Sequence, residues 1–457
     1  MGYRKESDSI GTLDIPSSAY YGVQSLRGAQ NFDISGNLMN KNFIYNIVKI
    51  KKAASIANNK ADNLDDSISN AIVLACDEIL SGKFDKEFIT DAIQGGAGTS
   101  VNMNVNEVIA NRATEILGGK LGEYLCHPND HVNKSQSTND VVPTAGKLTV
   151  LELSSLLFNE LDSLIENLDK KAVEFHDIIK MGRTQLEDAV PIRLGQEFSA
   201  YSSAIKRCYK LIKQALNEMY TVNIGGTAIG TSINTNKDYL ANVCGELSKI
   251  TGYELIQAKD LIDGTQNVDS FTYVSGALKT CALTLSKMCN DLRLMASGPK
   301  TGFSEIVLPA MQNGSSIMPG KVNPVIPEVV SQVAFAVIGN DVTIAMAAEA
   351  GQLELNAFEP VIFYKLFESI VCLKNAVKTL TENCIKGIVA NKNRCSDLLN
   401  SSLGIVTALC PYIGYKKSAE IAKEALKSNL TLKEVVLKHN ILSEEQLIQI
   451  LDPSHMT

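Results

Sequence analysis

The segment GSSIMPGKVNP, residues 314–324, combines side chains suited to proton transfer with a backbone that helices avoid. It carries adjacent hydroxyl groups on Ser315 and Ser316, followed by the ammonium group of Lys321 and the amide of Asn323. Proline removes a backbone donor and glycine loses conformational entropy on folding, so both are poorly tolerated inside helices. We therefore expect a loop that interrupts helices and presents these four polar side chains.

Three further polar segments interrupt apolar surroundings: residues 95–107 (GGAGTSVNMNVNE), 127–140 (HPNDHVNKSQSTND) and 181–191 (MGRTQLEDAVP). Each places Ser, Thr, Asn or Gln beside a glycine or a predicted helix start, where free backbone N–H groups bind anions. The run STND before a helix is equally typical of helix capping. Neutral hydroxyl and amide groups with one lysine suit a small dicarboxylate and removal of a proton next to a carboxylate.

Other kinds of site are poorly supported by the sequence. GGAGT lacks the GK[ST] ending of a phosphate-binding P-loop, and no G-x-S-x-G elbow of a hydrolase is present. His127 and His131 are four apart, but Pro128 lies between them and no third ligand is near, so we expect no metal site. Lysines and arginines are scattered and the net charge is -7, which argues against nucleic-acid binding.

The sequence also predicts a cytoplasmic protein that does not span a membrane. The N-terminal residues lack the apolar core of a signal peptide. The most apolar stretch, residues 329–350, contains Asn340, Asp341 and Glu349, which a membrane span disfavours. The 10 cysteines are dispersed without a CxxC pair, as expected for reduced thiols in the cytosol.

Apolar residues recur at alternating steps of three and four in three stretches: Phe198 to Met219, Phe271 to Met295 and Leu157 to Leu168. This spacing predicts long helices, each with a continuous apolar face, and hence a mainly α protein built on a long helical bundle. Leu283 and Leu294 lie on other faces of the second stretch, which favours a homo-oligomer over a large monomer core. We predict an N-terminal domain over residues 1–139, a central bundle over 140–393 and a small helical domain over 394–457.

The loop GSSIMPGKVNP closely resembles the GSSxMPxKxNP signature of the fumarase/aspartase superfamily. The segments GTSVNMNVNEV, HPNDHVNKSQSTNDVVPT and GQLELN resemble further blocks of that superfamily in the same order. The resemblance covers essentially the whole chain. It implies a fumarase/aspartase-like fold and a homotetramer in which each active site is assembled from three subunits.

Four segments resemble the ammonia-lyase branch of the superfamily more than the fumarase branch: AGTSVNMN, QSTND, AAEAGQLELN and GRTQ. The resemblance implies reversible conversion of L-aspartate to fumarate and ammonia, without a required cofactor and with Mg²⁺ left open as an activator. Gln185 replaces the titratable histidine that would assist loss of hydroxide in a fumarase. Fumarate hydration and a non-catalytic structural role remain the alternatives. Glu187 departs from the glutamine that is usual in the family.

The resemblance also implies roles for individual residues. Ser315 corresponds to the general base, and Lys321 and Asn323 to the residues that hold the α-carboxylate. Two further sets follow: the β-carboxylate clamp is Thr99, Ser137, Thr138 and Ser316, and the amino-group contacts are Asn139, Thr184 and Gln185.

Overall fold

The computed structural model describes residues 2–428 and 430–457, and this part of the chain is mainly helical. The mainly α prediction is therefore confirmed. The helices are α1 Val23–Asn31, α2 Lys41–Lys60, α3 Asp66–Leu80, α4 Thr99–Ile116, α5 Thr138–Glu174, α6 Leu194–Ala215, α7 Lys237–Thr251, α8 Leu261–Gln266, α9 Asp269–Met295, α10 Val325–Glu349, α11 Glu359–Asn383, α12 Lys392–Ser401, α13 Cys410–Ile413, α14 Tyr415–Ser428, α15 Leu432–Lys438 and α16 Glu444–Ile450. Short 3-10 turns lie at Asp85–Glu87, Leu216–Tyr220, Ile385–Gly387, Gly404–Leu409 and Pro453–Met456, and a π-helical turn at Pro128–Val132.

The strands form small two-stranded sheets. They are β1 Tyr3–Ser7, β2 Thr12–Pro16, β3 Ile179–Thr184, β4 Glu187–Arg193, β5 Thr221–Val222, β6 Ile256–Gln257, β7 Ile306–Val307 and β8 Val389–Ala390. The pairs β1–β2, β3–β4 and β7–β8 are antiparallel, and β5–β6 is parallel. The sequence did not predict the β3–β4 hairpin, although it carries one of the polar segments.

The chain divides into two compact units, each built from three separate stretches. Unit 1 contains Met1–Phe158, Lys210–Thr280 and Phe335–Leu373, and unit 2 contains Asn159–Tyr209, Cys281–Ala334 and Lys374–Thr457. The long helices α5, α6, α9, α10 and α11 contribute residues to both units. The division into three consecutive domains that the sequence predicts stays a prediction.

The three apolar stripes form long helices. Phe198, Ile205 and Ile212 are 0% exposed in α6, and the stripe beginning at Phe271 is buried along α9. The third stripe, Leu157 to Leu168, is buried within the 37-residue α5.

The core of unit 1 includes a group of phenylalanine rings. The ring of Phe363 lies 5.4 Å from Phe43, 5.1 Å from Phe271 and 5.8 Å from Phe367, measured between centroids. Gly146 on α5 faces this group, and a Cβ there would lie 2.5 Å from the Phe363 ring. The glycine therefore lets α5 and α11 pack at close range within unit 1.

Among the described residues, two helices are long and apolar enough to cross a membrane by length and composition alone. The most apolar window of α5 is 72% buried inside the protein, as in the core helix of a folded domain. The corresponding window of α10 has a mean hydropathy of 1.5 but is only 39% buried. Phe335, Val342 and Met346 on α10 are 65%, 54% and 68% exposed. This helix therefore carries an apolar face that the single chain does not cover.

Candidate active site

In unit 1, Thr99 lies at the N-terminus of α4, directly after a tight glycine-rich turn. Gly96, Ala97 and Gly98 all have positive φ, at 76°, 54° and 89°. A Cβ on Gly98 would lie 3.0 Å from the side chain of Val142, so this turn packs directly on the first turns of α5. The Thr99 hydroxyl donates to the Gly96 carbonyl at 2.7 Å. The turn thus brings the start of α4 beside the start of α5.

Ser137 caps α5, so the capping interpretation of STND is correct in this structure. Its Oγ accepts a hydrogen bond from the backbone N–H of Asn139 at 3.2 Å. The carboxylate of Asp140 accepts from the backbone N–H of Ser137 at 2.9 Å. Because the Ser137 oxygen accepts in the cap, its proton is still available to a ligand. Capping and substrate binding are therefore compatible at this residue.

Asn139 is fixed from both its side chain and its backbone. Its amide donates to the Ala228 carbonyl at 2.7 Å. Pro143 lies four residues later in α5 and has no N–H for the Asn139 carbonyl. The side-chain amide of Asn223 donates to that carbonyl instead, at 3.0 Å. The proline thus frees an acceptor that ties the start of α5 to the loop after β5.

The buried carboxylate of Asp140 also holds the loop after β5. Asp140 is 0% exposed, and its Oδ2 accepts from the backbone N–H groups of Gly225 at 3.1 Å and Thr227 at 3.0 Å. Burial raises the pKa of Asp140 to about 6, although these hydrogen bonds oppose the shift. Asp140 therefore connects the Ser137–Asn139 turn with the loop that receives the Asn139 amide.

In unit 2, Thr184 and Gln185 lie at the exposed tip of the β3–β4 hairpin. Thr184 pairs with Glu187, which leaves Gln185 and Leu186 as the two turn residues. Both have positive φ, at 55° and 67°, as the two central residues of a type I′ hairpin turn require. Such turns favour Asn or Gly, so a Gln–Leu pair here is strained in a way that is common at functional sites.

Buried ion pairs hold strand β3 at the base of this hairpin. Glu305 is 0% exposed and accepts from Arg183 at 2.8 Å, and the Lys180 ammonium lies 3.1 Å from its other oxygen. Lys180 also contacts Glu197 at 2.9 Å, and burial raises the pKa of Glu197. The Arg183 guanidinium lies 4.2 Å from the centre of the Phe303 ring. Since buried ion pairs rarely add much stability, we expect these pairs to act chiefly by fixing the geometry of the hairpin.

The loop over residues 314–324 follows Glu305 in unit 2 and closes on itself. The Gly314 N–H donates to the Lys321 carbonyl at 2.9 Å, and the Asn323 amide donates to the Gly314 carbonyl at 2.9 Å. A Cβ on Gly314 would lie 2.3 Å from the Lys321 carbonyl oxygen, so only glycine allows this crossing. Asn323 thus holds the loop closed, in addition to its predicted role toward substrate.

Ser315 is half-buried at the start of this loop. Its Oγ accepts from the backbone N–H groups of Ile317 and Met318, both at 3.2 Å. Two N–H dipoles directed at one hydroxyl oxygen favour its ionised form. Ser316 and Lys321 are exposed on the same loop.

The structure therefore brings the predicted site residues together in two groups. Unit 1 contains Thr99 with the turn from Ser137 to Asn139, and these lie at neighbouring helix starts. Unit 2 contains the hairpin tip with Thr184 and Gln185, and the loop with Ser315, Ser316, Lys321 and Asn323. The residue roles stay predictions.

His127 and His131 have structural partners instead of a shared metal geometry. The His127 N–H donates to Nδ1 of His131 at 2.9 Å, and the Asp130 N–H donates to Nδ1 of His127 at 3.2 Å. Across the described residues, no group of three or more His, Cys, Asp or Glu side chains could hold a metal ion.

Sequence reasoning missed three buried polar residues beneath the unit 1 group. Asp140 and Asn223 are described above, and Lys51 on α2 is 0% exposed. The only available signal for Lys51 was its position in the apolar run of α2, where a lysine is unusual. The asparagines of α4 were interpreted as part of a polar interruption, yet Asn102, Asn104 and Asn106 are buried within that helix.

Comparison with known proteins identifies the class to which this fold and site belong. Residues 11–339 match the family described as "Lyase", and residues 405–457 match "Fumarase C C-terminus". The chain belongs to this fumarase/aspartase family of lyases, as its sequence blocks predicted.

Full-length relatives place it more narrowly. An aspartate ammonia-lyase of Helicobacter pylori is 52% identical, with 99% of this chain and 97% of the relative covered. An aspartate ammonia-lyase of a Bacillus species is 50% identical, with the same shares covered. The crystal structure of a Brucella melitensis "fumarate lyase:delta crystallin" bound to cobalt has a TM-score of 0.97 at 48% identity, with 99% of both chains covered. Like the ammonia-lyases it resembles, the chain is a carbon–nitrogen lyase.

Proposed function

We propose that this enzyme catalyses the reversible deamination of L-aspartate to fumarate and ammonia. The observation that carries the proposal is the identity of about half of all residues with aspartate ammonia-lyases over essentially the full length. The hydroxyl and amide groups of the candidate site suit L-aspartate, because they can donate to its two carboxylates and accept from its amino group.

The chemical difficulty is the removal of a proton next to the β-carboxylate. The resulting enediolate carries nearly a second negative charge on that carboxylate. Donors fixed in advance stabilise such charge by about 2.7–4 kcal/mol each. Thr99, Ser137, Thr138 and Ser316 are the proposed donors. The capped and anchored start of α5 supports this role, because its groups need not reorganise as the charge develops.

Ser315 is the proposed base. A serine hydroxyl is a weak base unless its oxyanion is stabilised, and the N–H groups of Ile317 and Met318 already point at its Oγ. The proton moves from the substrate carbon to Oγ of the ionised serine, and the electron pair enters the carboxylate. Lys321 and Asn323 hold the α-carboxylate in this scheme.

Loss of ammonia completes the reaction. Asn139, Thr184 and Gln185 are the proposed contacts of the amino group. Ammonium is a better leaving group than hydroxide, so departure does not need the titratable acid that hydration chemistry uses. Gln185 cannot titrate, and this favours L-aspartate over L-malate as the substrate.

The direct test is absorbance at the fumarate band with purified protein and each substrate offered separately. We expect L-aspartate to give fumarate, and L-malate to react at least about 100-fold more slowly, the usual contribution of one acid–base group. Comparable rates on both substrates would contradict the assignment. An inert protein that remains folded by circular dichroism would favour a structural role.

The proposed assembly is a homotetramer whose subunits share their active sites. The apolar face of α10, with Phe335 65% and Met346 68% exposed, supports burial against other copies of the chain. Light scattering should give a tetrameric mass. A fully active monomer would rule out sites shared between subunits.

Two further expectations belong to the proposal. The enzyme acts in the cytoplasm, where its dispersed cysteines stay reduced. It requires no cofactor. Mg²⁺ as an activator stays a prediction from the family, and the described residues contain no cluster of three acidic, histidine or cysteine side chains to hold it.

A further inference from the structure

Lys51 is a charged residue that the proposed mechanism does not use. It is nevertheless linked by hydrogen bonds to Thr138 of the unit 1 group. It projects from α2, is 0% exposed, and its ammonium donates to Oδ1 of Asn133 at 2.8 Å. Burial lowers the pKa of Lys51 to about 7, and attraction by the Asp140 carboxylate opposes that shift. A buried lysine is costly, so its presence calls for a function.

A short chain of hydrogen bonds leads from this lysine to Thr138. Oδ1 of Asn133 also receives the side-chain amide of Asn102 at 3.3 Å and that of Asn106 at 3.1 Å. The same Asn102 amide nitrogen donates its second proton to Oγ1 of Thr138 at 3.3 Å. The chain therefore runs from Lys51 through Asn133 and Asn102 to a predicted substrate-binding hydroxyl.

Two contacts set the direction of these hydrogen bonds: the Lys51 ammonium donates to Oδ1 of Asn133, and the Asn133 NH₂ group donates to the Gln136 carbonyl at 3.2 Å. An ammonium group only donates, and the Asn133 NH₂ group is already bound to the Gln136 carbonyl, so Asn133 presents its carbonyl oxygen to Lys51. Asn102 must then present its NH₂ group to that oxygen, and with it to Thr138. Thr138 consequently accepts from Asn102, which leaves its single proton to be donated elsewhere.

We propose that Lys51 is a positioning residue that, through Asn133 and Asn102, keeps the Thr138 hydroxyl oriented as a hydrogen-bond donor to the substrate carboxylate. This inference rests on the proposed function, in which Thr138 helps to stabilise the enediolate. Lys51 itself does not touch the substrate.

Two buried acceptors without a partner indicate that the direction of these hydrogen bonds is imposed on the asparagines. Oδ1 of Asn102 and Oδ1 of Asn106 have no hydrogen-bond partner among the described residues. Reversing either amide would turn its carbonyl oxygen toward Oδ1 of Asn133, and reversing Asn102 would also remove its donation to Thr138. The observed orientation leaves two acceptors unsatisfied, and Lys51 and the Gln136 carbonyl together hold Asn133 in the position that favours it.

The test is a double-mutant cycle between Lys51→Met and Thr138→Val in the full-length enzyme. Methionine keeps the length of the lysine side chain, and valine keeps the shape of threonine. We expect T138V to lower kcat about 100-fold, as for loss of one fixed donor. K51M should lower kcat about tenfold, with a smaller change in KM, because the donor is misdirected and not removed.

The double variant decides the matter. If Lys51 acts through Thr138, K51M/T138V should lose about 100-fold in kcat, no more than T138V alone. An additive loss of about 1,000-fold, or an unchanged kcat in K51M, would overturn the proposal. Lys52→Met is the matched control, because Lys52 is the neighbouring lysine of α2 and its ammonium pairs with the exposed Asp77 carboxylate at 2.6 Å. It should stay within about twofold of the wild type.

A second variant covers the case in which K51M does not fold. Asn102→Leu interrupts the same chain with the lysine still in place, and it should repeat the K51M kinetics and be equally masked by T138V. Failure of the proposed function is distinguishable, because it would appear as a wild type that forms no fumarate from L-aspartate. An active wild type with additive variants would overturn only the role of Lys51.

Discussion

The two groups of predicted site residues are built in opposite ways. At the starts of α4 and α5 the donors are anchored by buried partners, with Asp140 0% exposed beneath them. The loop at residues 314–324 is largely exposed, and its apolar side chains Ile317 and Val322 are 84% and 51% exposed. Internal hydrogen bonds between Gly314, Lys321 and Asn323 hold it closed on itself.

The difference matches the two tasks in the proposed reaction. Stabilising an enediolate requires donors that are in place before the charge develops. Admitting a substrate and then excluding water requires a segment that can move, and exposed loops of this kind often perform that step. We therefore expect substitutions in the loop to alter catalysis with little effect on stability, and substitutions at the helix starts to alter both.

The largest expected effect is that of Ser315→Ala. It removes the proposed base from a half-buried position, so kcat should fall by at least about 100-fold while the melting temperature is unchanged. Steady-state kinetics with L-aspartate, and circular dichroism to confirm folding, measure both. Ser401→Ala, on α12 in the same unit, is the control and should behave as wild type. A folded S315A enzyme with more than about a tenth of wild-type kcat would show that this serine is not the base.

Lys321→Ala should act mainly on KM. The variant removes a charged partner of the α-carboxylate, and hydrogen bonds to charged groups contribute about 1.5–3 kcal/mol, so KM should rise about tenfold or more. The fall in kcat should be smaller than in S315A. Lys300→Ala offers a matched exposed lysine of unit 2 and should leave KM unchanged. Equal KM values for both variants would show that Lys321 does not bind the substrate.

The smallest expected effects come from substitutions at two glycines, one in each group of site residues. Gly98→Ala places a Cβ 3.0 Å from Val142 at a φ of 89°, so it should lower the melting temperature by about 2–4 °C. Gly314→Ala places a Cβ 2.3 Å from the Lys321 carbonyl, so it should open the loop and lower kcat/KM with no change in melting temperature.

Gly245→Ala, in α7 with nothing within 4 Å of its Cβ, controls for the alanine itself and should leave the melting temperature of the folded protein unchanged or slightly higher. Differential scanning calorimetry and fumarate kinetics on all three variants separate the outcomes. A destabilised G314A enzyme would contradict the view that the loop contributes little to stability.

The sequence predicted the long helices well because each depends on a local repeat. Steps of three and four from Phe198 and Phe271 place one buried face along α6 and α9, whatever the rest of the chain does. It predicted α4 poorly, because a row of asparagines resembles a loop unless their partners are known. Asn104, for example, donates to the Glu87 carbonyl at 2.9 Å, a contact that no local pattern reveals.

The candidate site, too, could be predicted only in part from the sequence. Resemblance supplied the residues that are predicted to contact a substrate, such as Ser137 and Gln185. It did not supply the β3–β4 hairpin that presents Gln185, because a Gln–Leu turn lacks the Asn-Gly or Asp-Gly pair typical of such turns. It did not supply the Lys180–Glu305 contact at the base of the hairpin, because that contact joins residues far apart in the chain. Buried polar partners such as Lys51 and Asn223 were missed for that reason.

The division of each unit into separate stretches affects how the chain is made. Unit 1 needs residues as late as Leu373, and unit 2 needs residues as early as Asn159. During synthesis the first 158 residues therefore lack some of their partners until Phe335–Leu373 has been translated. Contacts this distant in sequence slow folding and leave apolar surface uncovered in the interval. We expect a nascent chain that depends on protection from aggregation until its last third has been translated.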